Sequence, residues 1–468
     1  MSPIPRRYSA RLGRILLAWL LAPVVPLTAQ DDPRVAELCE RVRLLEARLA
    51  GYESLAEEHA GEDIEKRIRV LSEAALAGED VFLARWKNTS VLETEAKDFR
   101  VRFGGRIHFD MIWNGQDEAT DQAFGHFDDG FLFRRVRLYT DGEIHKNVFF
   151  RIQVDFAGAG NVEIRDAYMG VKDVLGGGRV TVGLYKQPFG LDEMTSANDN
   201  FFIEKALPSS LFGPSREAGL MYSNVFLENE RMTFAISFYR DVDDNGDSAP
   251  PLDGDYAGVL RLTGLPIDED GGETLLHLGI GVGYQNPADG LVRFRQRPET
   301  AIGPRLVDTG NISDADDLIR FNFEVAAVLG AFTVQAEYFH VFVSSDARND
   351  PEFWGAYLEV GYFLTGEIRP YSRQSGTFTR VKPRSNLHDG GEGGGAWELN
   401  LRYSYADLDD EGVMGGTLGD LSFGVSWYLN PNTKVRLNYT WGHADDFPAL
   451  AGDEGDVHVV ALRFQIDF

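Results

Sequence analysis

Alternation of apolar and polar residues runs through most of this chain. The last twelve residues, 457–468, read VHVVALRFQIDF: one parity is apolar after its first member, and the other turns polar towards the end. Successive side chains in a strand point to opposite faces, so this segment predicts a strand with one apolar and one polar face. The aromatic Phe468 beside the charged Asp467 on the opposite face is typical of the closing strand of an outer-membrane barrel.

Sixteen segments of this kind follow one another from about Phe99, bounded by Gly, Asn, Asp and Pro. They lie at 99–113, 131–145, 147–157, 162–174, 177–187, 216–227, 230–240, 255–265, 273–285, 316–328, 331–345, 352–364, 396–408, 417–429, 432–443 and 456–468. The connections at 143–147 and 430–432 are tight, whereas those at 188–215, 286–315 and 365–395 are long. Single-chain bacterial barrels have an even number of strands, with short periplasmic turns opposite long outer loops.

A soluble sandwich also contains two-faced strands, but it must protect its edge strands. Sixteen strands with Trp and Tyr near their ends instead favour a closed barrel in lipid. We therefore predict an all-β membrane protein, with a 16-stranded antiparallel transmembrane β-barrel over 98–468.

The beginning of the chain has a different pattern. Four arginines precede an apolar stretch at 15–27 that ends in small residues, which predicts a signal peptide at 1–29, with an uncleaved anchor as the alternative. Apolar residues then recur in steps of three and four from Val35 to Ala56 and again from Ile64 to Ala75. This spacing predicts a periplasmic helical segment at 30–77, either a coiled coil of associated chains or an amphipathic helix on another surface. Residues 78–97 are predicted to be a linker.

Composition narrows the function. The formal net charge of −27 argues against a nucleic-acid partner, and the single cysteine, Cys39, excludes an intrachain disulfide. We find no zinc-binding pair of histidines on a helix, no nucleophile elbow and no catalytic triad in a recognisable order. The sequence therefore predicts no enzymatic activity, no cofactor and no metal.

The polar face of the predicted strands is rich in arginine. Those at strand positions opposite the apolar residues are Arg106, Arg135, Arg137, Arg151, Arg179, Arg261, Arg320, Arg402, Arg436 and Arg463. So many cations would destabilise a dry core, but in a water-filled lumen they stay solvated and attract anions. Alternatively, lumen carboxylates neutralise them and the pairs brace the wall, so anion selectivity stays open at this point.

Several motifs resemble the phosphate-selective porin O/P family. They are Phe133-Arg134-Arg135, LYKQPFGL at 184–191, Thr195-Ser196, FIEKALP at 202–208 and Gly366-Glu367. The similarity extends from about Phe99 to Phe468. The resemblance implies a trimeric, sixteen-stranded outer-membrane porin whose third loop folds into the lumen.

The resemblance also implies roles for individual residues. Arg134 and Arg135 match paired constriction arginines, 190–215 matches the infolded loop, and Thr195 and Ser196 match hydroxyl donors to the anion. Lys205 stands where phosphate-specific members carry an arginine, and Glu193 where they carry a lysine. Lysine lacks the bidentate fork of arginine, and a carboxylate aimed at the constriction would repel phosphate.

The function predicted from the sequence is passive diffusion of small solutes through the outer membrane, with anions such as phosphate favoured. The predicted anion site consists of Arg134, Arg135, Thr195, Ser196 and Lys205, with Arg137, Arg151, Arg179 and Arg436 as further lumen arginines. The expected partners are outer-membrane lipid, two further copies of the chain in a homotrimer, small anions, and peptidoglycan through the helical segment. The alternatives are a non-selective porin, an envelope-tethering protein and a barrel enzyme acting on lipids or peptides at the rim.

Overall fold

The computed structural model describes residues 82–468 apart from 87, 159–160, 243–255, 389–392 and 451–453. The predicted signal peptide at 1–29 and the helical segment at 30–77 lie outside the described residues.

Strands make up most of the described chain. In chain order they are β1 (Phe82–Trp86), β2 (Ser90–Thr94), β3 (Phe99–Gln116), β4 (Gly130–Ile144), β5 (Val148–Asp155), β6 (Glu163–Val174), β7 (Gly178–Lys186), β8 (Arg216–Phe226), β9 (Met232–Arg240), β10 (Tyr256–Glu269), β11 (Thr274–Asn286), β12 (Arg295–Gln296), β13 (Val307–Asp308), β14 (Ala315–Leu329), β15 (Phe332–Ser345), β16 (Glu352–Phe363), β17 (Tyr371–Ser372), β18 (Thr377–Phe378), β19 (Ala396–Asp410), β20 (Val413–Asn430), β21 (Thr433–Asp445) and β22 (Gly455–Asp467). Three short helices are α1 (Glu118–Phe124), α2 (Leu191–Met194) and α3 (Leu207–Phe212), and 3₁₀ turns occupy Glu228–Glu230 and Pro448–Leu450. Among the described helices, none combines the length and the apolar character needed to cross a membrane.

Sixteen strands form one closed antiparallel barrel: β3–β11, β14–β16 and β19–β22. The barrel closes where β22 pairs with β3, in a register that runs from Val457 opposite Gln116 to Asp467 opposite Arg106. The sixteen-strand prediction is therefore confirmed, and the observed strand ends lie within about four residues of the predicted ones.

The two faces of the wall differ as the alternation predicts. On β14, Phe323 and Val325 point outward and are about half exposed, whereas Asn322 and Glu324 point inward and are buried. Leaving an apolar side chain of this size in water costs about 1.5–3 kcal/mol, and outward-facing aliphatic and aromatic residues recur on the other barrel strands. The outer face is therefore built for lipid contact.

The predicted linker at 78–97 contains a hairpin that the sequence prediction missed. β1 and β2 pair with each other, and β2 continues the sheet by pairing with the first residues of β3, Ser90 opposite Phe103. Val91 and Glu93 of β2 are buried. The two strands have five residues each, too few for alternation to distinguish them from an irregular segment.

One long connection lies at the opposite end of the barrel from the one expected. The segment 364–395 joins β16 to β19 at the tight-turn end, which also holds the turns 145–147 and 431–432 and the C-terminal Phe468. Conversely, the turn 411–412 between β19 and β20 is tight and lies at the long-loop end. Loop length alone therefore misplaced 365–395, because strand order fixes the end of the barrel at which a connection lies.

Candidate functional site

The connection between β7 and β8, residues 187–215, folds into the barrel and carries α2 and α3. Its first turn is fastened to β15, because the backbone N–H groups of Leu191 and Asp192 both donate to the Glu337 carboxylate at 2.8 Å. Tyr357 donates its hydroxyl to the same carboxylate at 2.6 Å. A carboxylate with this many donors holds the segment at a fixed place on the wall.

The infolded segment also braces itself. Asp192 accepts hydrogen bonds from the Asn200 side-chain amide at 2.9 Å and from the Ala206 N–H at 3.0 Å. These contacts close a compact loop between α2 and α3.

Four arginines anchor the far side of the segment through its backbone carbonyls. Arg436 donates to Phe202 O at 3.0 Å and to Asn200 O at 2.5 Å, and Arg463 donates to Ile203 O at 2.7 Å. All four are at most 1% exposed; they are Arg369, which donates to Asp199 O, Arg402, which donates to Glu204 O, Arg436 and Arg463. Three of them are also paired with buried carboxylates, namely Arg369 with Glu398, Arg402 with Glu299 and Glu359, and Arg463 with Asp110. We call these four residues the anchor arginines.

The connection 287–314 packs behind the same segment. Glu299 accepts from the Leu207 N–H at 3.2 Å, from Ser404 at 2.6 Å and from Ser422 at 3.0 Å. The half of the barrel interior next to β19 and β20 is therefore filled by protein.

The other half of the interior is an open cavity of about 790 Å³, lined mainly by β4–β10 and the inner edge of the infolded segment. Twelve basic residues line it: Arg106, Arg134, Arg135, Arg137, Arg151, Arg165, Lys172, Arg179, Lys186, Lys205, Arg216 and Arg261. Three acidic residues line it: Asp166, Asp173 and Glu230. The cavity wall is therefore strongly cationic, although the whole chain is acidic.

A β-bulge brings two neighbouring arginines into this cavity. In the β3–β4 register His108 pairs with Arg135 and Phe109 pairs with Phe133, so Arg134 is the extra residue of β4. Adjacent residues of a regular strand point to opposite faces, but a bulge resets the alternation. Both Arg134 and Arg135 consequently line the cavity while Phe133 stays on the outer face.

Most of the cavity cations are paired with carboxylates. Arg137 pairs with Asp155 at 2.7 Å, Arg151 with Asp166 at 2.8 Å, and Arg216 with the other oxygen of Asp166 at 2.9 Å. Among the described residues, Arg106, Arg135 and Arg179 have no ion pair: Arg106 donates to Ser196 Oγ at 3.5 Å, Arg135 donates to His108 Nδ1 at 3.5 Å, and Arg179 lies over the Phe149 ring. These three guanidinium groups have the greatest capacity to take an incoming anion.

Arg134 is held differently from its neighbour. Its Nε donates to Glu204 Oε1 at 2.9 Å, and Arg463 reaches the same oxygen at 3.1 Å. Burial alone would raise the pKa of Glu204, but Arg134, Arg135 and Arg463 together hold that pKa well below its usual range. Glu204 therefore stays ionised and fixes Arg134 at the edge of the infolded segment.

Glu193 is not aimed freely into the cavity. It forms an ion pair with Lys205, and Lys186 Nζ lies 3.7 Å from its other carboxylate oxygen. Two lysines at the inner edge of the segment therefore neutralise the Glu193 carboxylate, and Arg134 is not one of its partners. The cost of Glu193 is that these two cations are less available to a solute.

Replacing Glu193 by glutamine is expected to strengthen anion binding in the cavity. The substitution keeps the size of the side chain, removes one negative charge and frees Lys205, while Lys186 still donates to the backbone carbonyls of Glu193 and Thr195. We expect phosphate to block the ion current about two- to tenfold more strongly, measured as the half-blocking concentration in a planar bilayer. Glu352→Gln makes the same charge change on the exposed outer face and should have no effect. Unchanged or weaker block in Glu193→Gln would contradict this assignment.

The structure separates the residues of the predicted anion site into two groups. Arg134, Arg135, Ser196, Lys205, Arg137, Arg151 and Arg179 all line the cavity. Thr195 does not: it is buried, and its hydroxyl oxygen has no hydrogen-bond partner among the described residues. Arg436 does not either, because the infolded segment covers this part of β21 and takes its hydrogen bonds.

Six lining cations were absent from the predicted site: Arg106, Arg165, Lys172, Lys186, Arg216 and Arg261. Arg106 has the correct strand parity, which marked it as an inward-facing residue but not as a member of the site. Lys186 lies in the LYKQPFGL motif at the end of β7, and Arg216 opens β8 directly opposite it. Their proximity follows from strand pairing, which a motif search does not include.

At the tight-turn end, the connection 364–395 also enters the barrel mouth. Arg261 donates to Ser375 O at 3.3 Å and to Gly376 O at 2.9 Å while pairing with Glu324. Gln374 and Ser375 line the cavity. This connection therefore narrows the cavity at that end, and Arg261 acts as its support.

Comparison with known proteins agrees with this geometry. The family described as phosphate-selective porin O and P matches residues 101–468. An uncharacterised protein of Caulobacter vibrioides is 30% identical over 400 residues, covering 82% of this chain and 76% of that protein. Porin O of Pseudomonas aeruginosa is 25% identical over 439 residues, covering 83% of this chain and 93% of that protein.

A solved structure shares the fold. The anion-selective porin from Comamonas acidovorans superposes with a TM-score of 0.50 at 12% identity, covering 79% of this chain and all of that one. At this identity the likeness concerns the fold alone.

Proposed function

Because this chain belongs to the phosphate-selective porin O and P family and is an outer-membrane porin, we propose that it passes small anions such as phosphate by passive diffusion. The observation that carries the proposal is the composition of the cavity wall, where twelve basic residues face three acidic ones. The phosphate selectivity after which the matching family is named is consistent with it.

The mechanism needs only electrostatics and exchange of water. Arg106, Arg135 and Arg179 have no carboxylate partner among the described residues and attract an anion from either mouth. Ser196 lies beside Arg106 and replaces part of the anion's hydration with its hydroxyl group. Conduction requires each of these contacts to be weak, so that the anion moves on to the next site.

Phosphate preference over other anions rests on the arginines. A guanidinium group matches two oxygens of a phosphate at once, whereas the lysine ammonium at position 205 is a point charge held by Glu193. We therefore propose moderate selectivity for oxyanions, with Arg134 and Arg135 placed at the narrow passage beside the infolded segment.

The deciding measurement is the zero-current potential of the purified protein in a planar bilayer under a KCl gradient, followed by titration with phosphate. We expect the zero-current potential to have the sign of a pore that passes chloride more readily than potassium. We also expect the chloride current to decrease as phosphate is added. A potential set by potassium, or near zero without phosphate block, would leave an outer-membrane porin that does not select anions.

Two further predictions concern how the protein assembles: the homotrimer and the contact with peptidoglycan. The homotrimer is a property that the family resemblance implies, and contact with peptidoglycan through 30–77 concerns residues outside the described part of the chain. Both stay predictions.

A further inference from the structure

One side of the cationic cavity is apolar. Phe149, Tyr168, Tyr185, Met221 and Val225 all line it, on the strands β5–β8. Phe149, Tyr168, Met221 and Val225 are partly exposed, whereas Tyr185 is buried at the base of this wall. A passage for inorganic anions alone has no use for apolar side chains that face its water.

The three rings form a continuous strip across β5, β6 and β7. The centroids of Phe149 and Tyr168 lie 6.3 Å apart with the rings nearly perpendicular, and those of Tyr168 and Tyr185 are also 6.3 Å apart. Edge-to-face contacts of this kind are favourable and fix the rings relative to one another. We call Phe149, Tyr168 and Tyr185 the aromatic strip.

The ring of Phe149 packs against a glycine of the neighbouring strand. Gly170 of β6 lies opposite Phe149 in the strand register, and a β-carbon on Gly170 would run into the Phe149 ring. The ring therefore packs against the backbone of the wall and lines the cavity with its remaining surface.

A cation without a carboxylate partner lies next to this ring. The guanidinium carbon of Arg179 is 5.8 Å from the Phe149 centroid, and no ion pair of Arg179 is found among the described residues. Lys172, opposite Arg179 in the register, also lines the cavity, but its charge is paired with Glu143. The guanidinium group of Arg179 and the aromatic ring of Phe149 therefore lie within the reach of one small molecule that carries an anionic group.

The size of the cavity agrees with such a solute. Its volume of about 790 Å³ is that of a site for an organic ligand, since these sites typically measure about 300–1,000 Å³, whereas a water occupies about 30 Å³ in the liquid. Inorganic phosphate would fill only a small part of it.

We propose that this cavity takes small organic anions in which a phosphate or carboxylate group is joined to an aromatic ring. The head binds Arg179 and the ring lies on the aromatic strip, with Met221 and Val225 completing the apolar wall. The site rests on the proposed anion function and extends it from inorganic to organic substrates.

The test compares inorganic phosphate, methyl phosphate and phenyl phosphate as blockers of the chloride current at about pH 8, where all three are largely doubly charged. We expect phenyl phosphate to block roughly three- to tenfold more strongly than methyl phosphate, because only the first presents a ring. Equal block by methyl and phenyl phosphate would overturn this inference and leave the proposed function standing. Failure of all three to block would overturn the proposed function itself.

A pair of variants on β5 locates the effect. In Phe149→Ala the ratio between phenyl and methyl phosphate block should fall to about one, whereas in Phe150→Ala, which alters the outward-facing neighbour, the ratio should stay at the wild-type value. A ratio that survives in Phe149→Ala would place the ring elsewhere in the cavity and overturn the assignment to the aromatic strip.

Discussion

Substitution of Arg436 by methionine should release the infolded segment and raise the single-channel conductance several-fold. Arg436 is fully buried and donates to the carbonyl groups of Phe202 and Asn200. A hydrogen bond from a charged group contributes about 1.5–3 kcal/mol, and its loss leaves two buried carbonyls without a donor. Methionine fills most of the volume but supplies no donor, so the segment 198–203 loses its attachment to β21.

Single-channel recording in concentrated KCl measures this effect, together with the loss of anion preference that a wider passage produces. Folding is checked by the heat-dependent mobility of the barrel on a gel. The matched control is Arg293→Met, which removes an arginine from an exposed pair with Asp308 in the connection 287–314. Wild-type conductance in a folded Arg436→Met barrel would show that the segment does not depend on this anchor arginine.

The second large effect is expected for Arg135→Ala. Within the described part of the chain its guanidinium group makes one hydrogen bond, a long one to His108 at 3.5 Å, so its other donors are available to the anion. Losing a charged hydrogen bond to phosphate should raise the half-blocking phosphate concentration by roughly tenfold or more. The zero-current potential should move towards zero at the same time, because the passage loses one positive charge.

Arg137→Ala separates these two consequences. It removes the same charge two residues away on the same inward face of β4, but Arg137 is already engaged by Asp155 at 2.7 Å. We therefore expect a similar shift in the zero-current potential and a much smaller change in phosphate block. Equal loss of block in both variants would mean that phosphate responds to the total charge and not to Arg135.

The barrel could be predicted from the sequence because its main determinant is local. Apolar and polar residues alternate with a period of two along every strand. The alternation is unusually regular because one face of each strand contacts lipid and the other faces the water-filled interior. Even the bulge at Arg134 leaves a trace, since the outward apolar positions 131 and 133 are followed by 136 and 138. That slip of phase indicates two consecutive inward residues.

The organisation of the interior could not be predicted in the same way. Arg436 and Arg135 look alike in sequence, each being an inward-facing arginine on a two-faced strand. They differ because a segment more than 200 residues from Arg436 lies against β21 and not against β4. The partners of Glu193 could not be predicted either. Lys186 and Lys205 neutralise its charge, and they come close to it only when 187–215 folds into the barrel.

The residues that line the cavity and the residues that anchor the infolded segment lie on different strands of the barrel. The side chains that meet the solute project mainly from β3–β10, while those that hold the infolded segment in place project largely from β15 and β19–β22. Substitutions in the first set can retune what passes without loosening the second. Diversification of substrate range within one scaffold, by evolution or by design, therefore has an accessible route: variation confined to the conducting wall, with the supporting wall left intact.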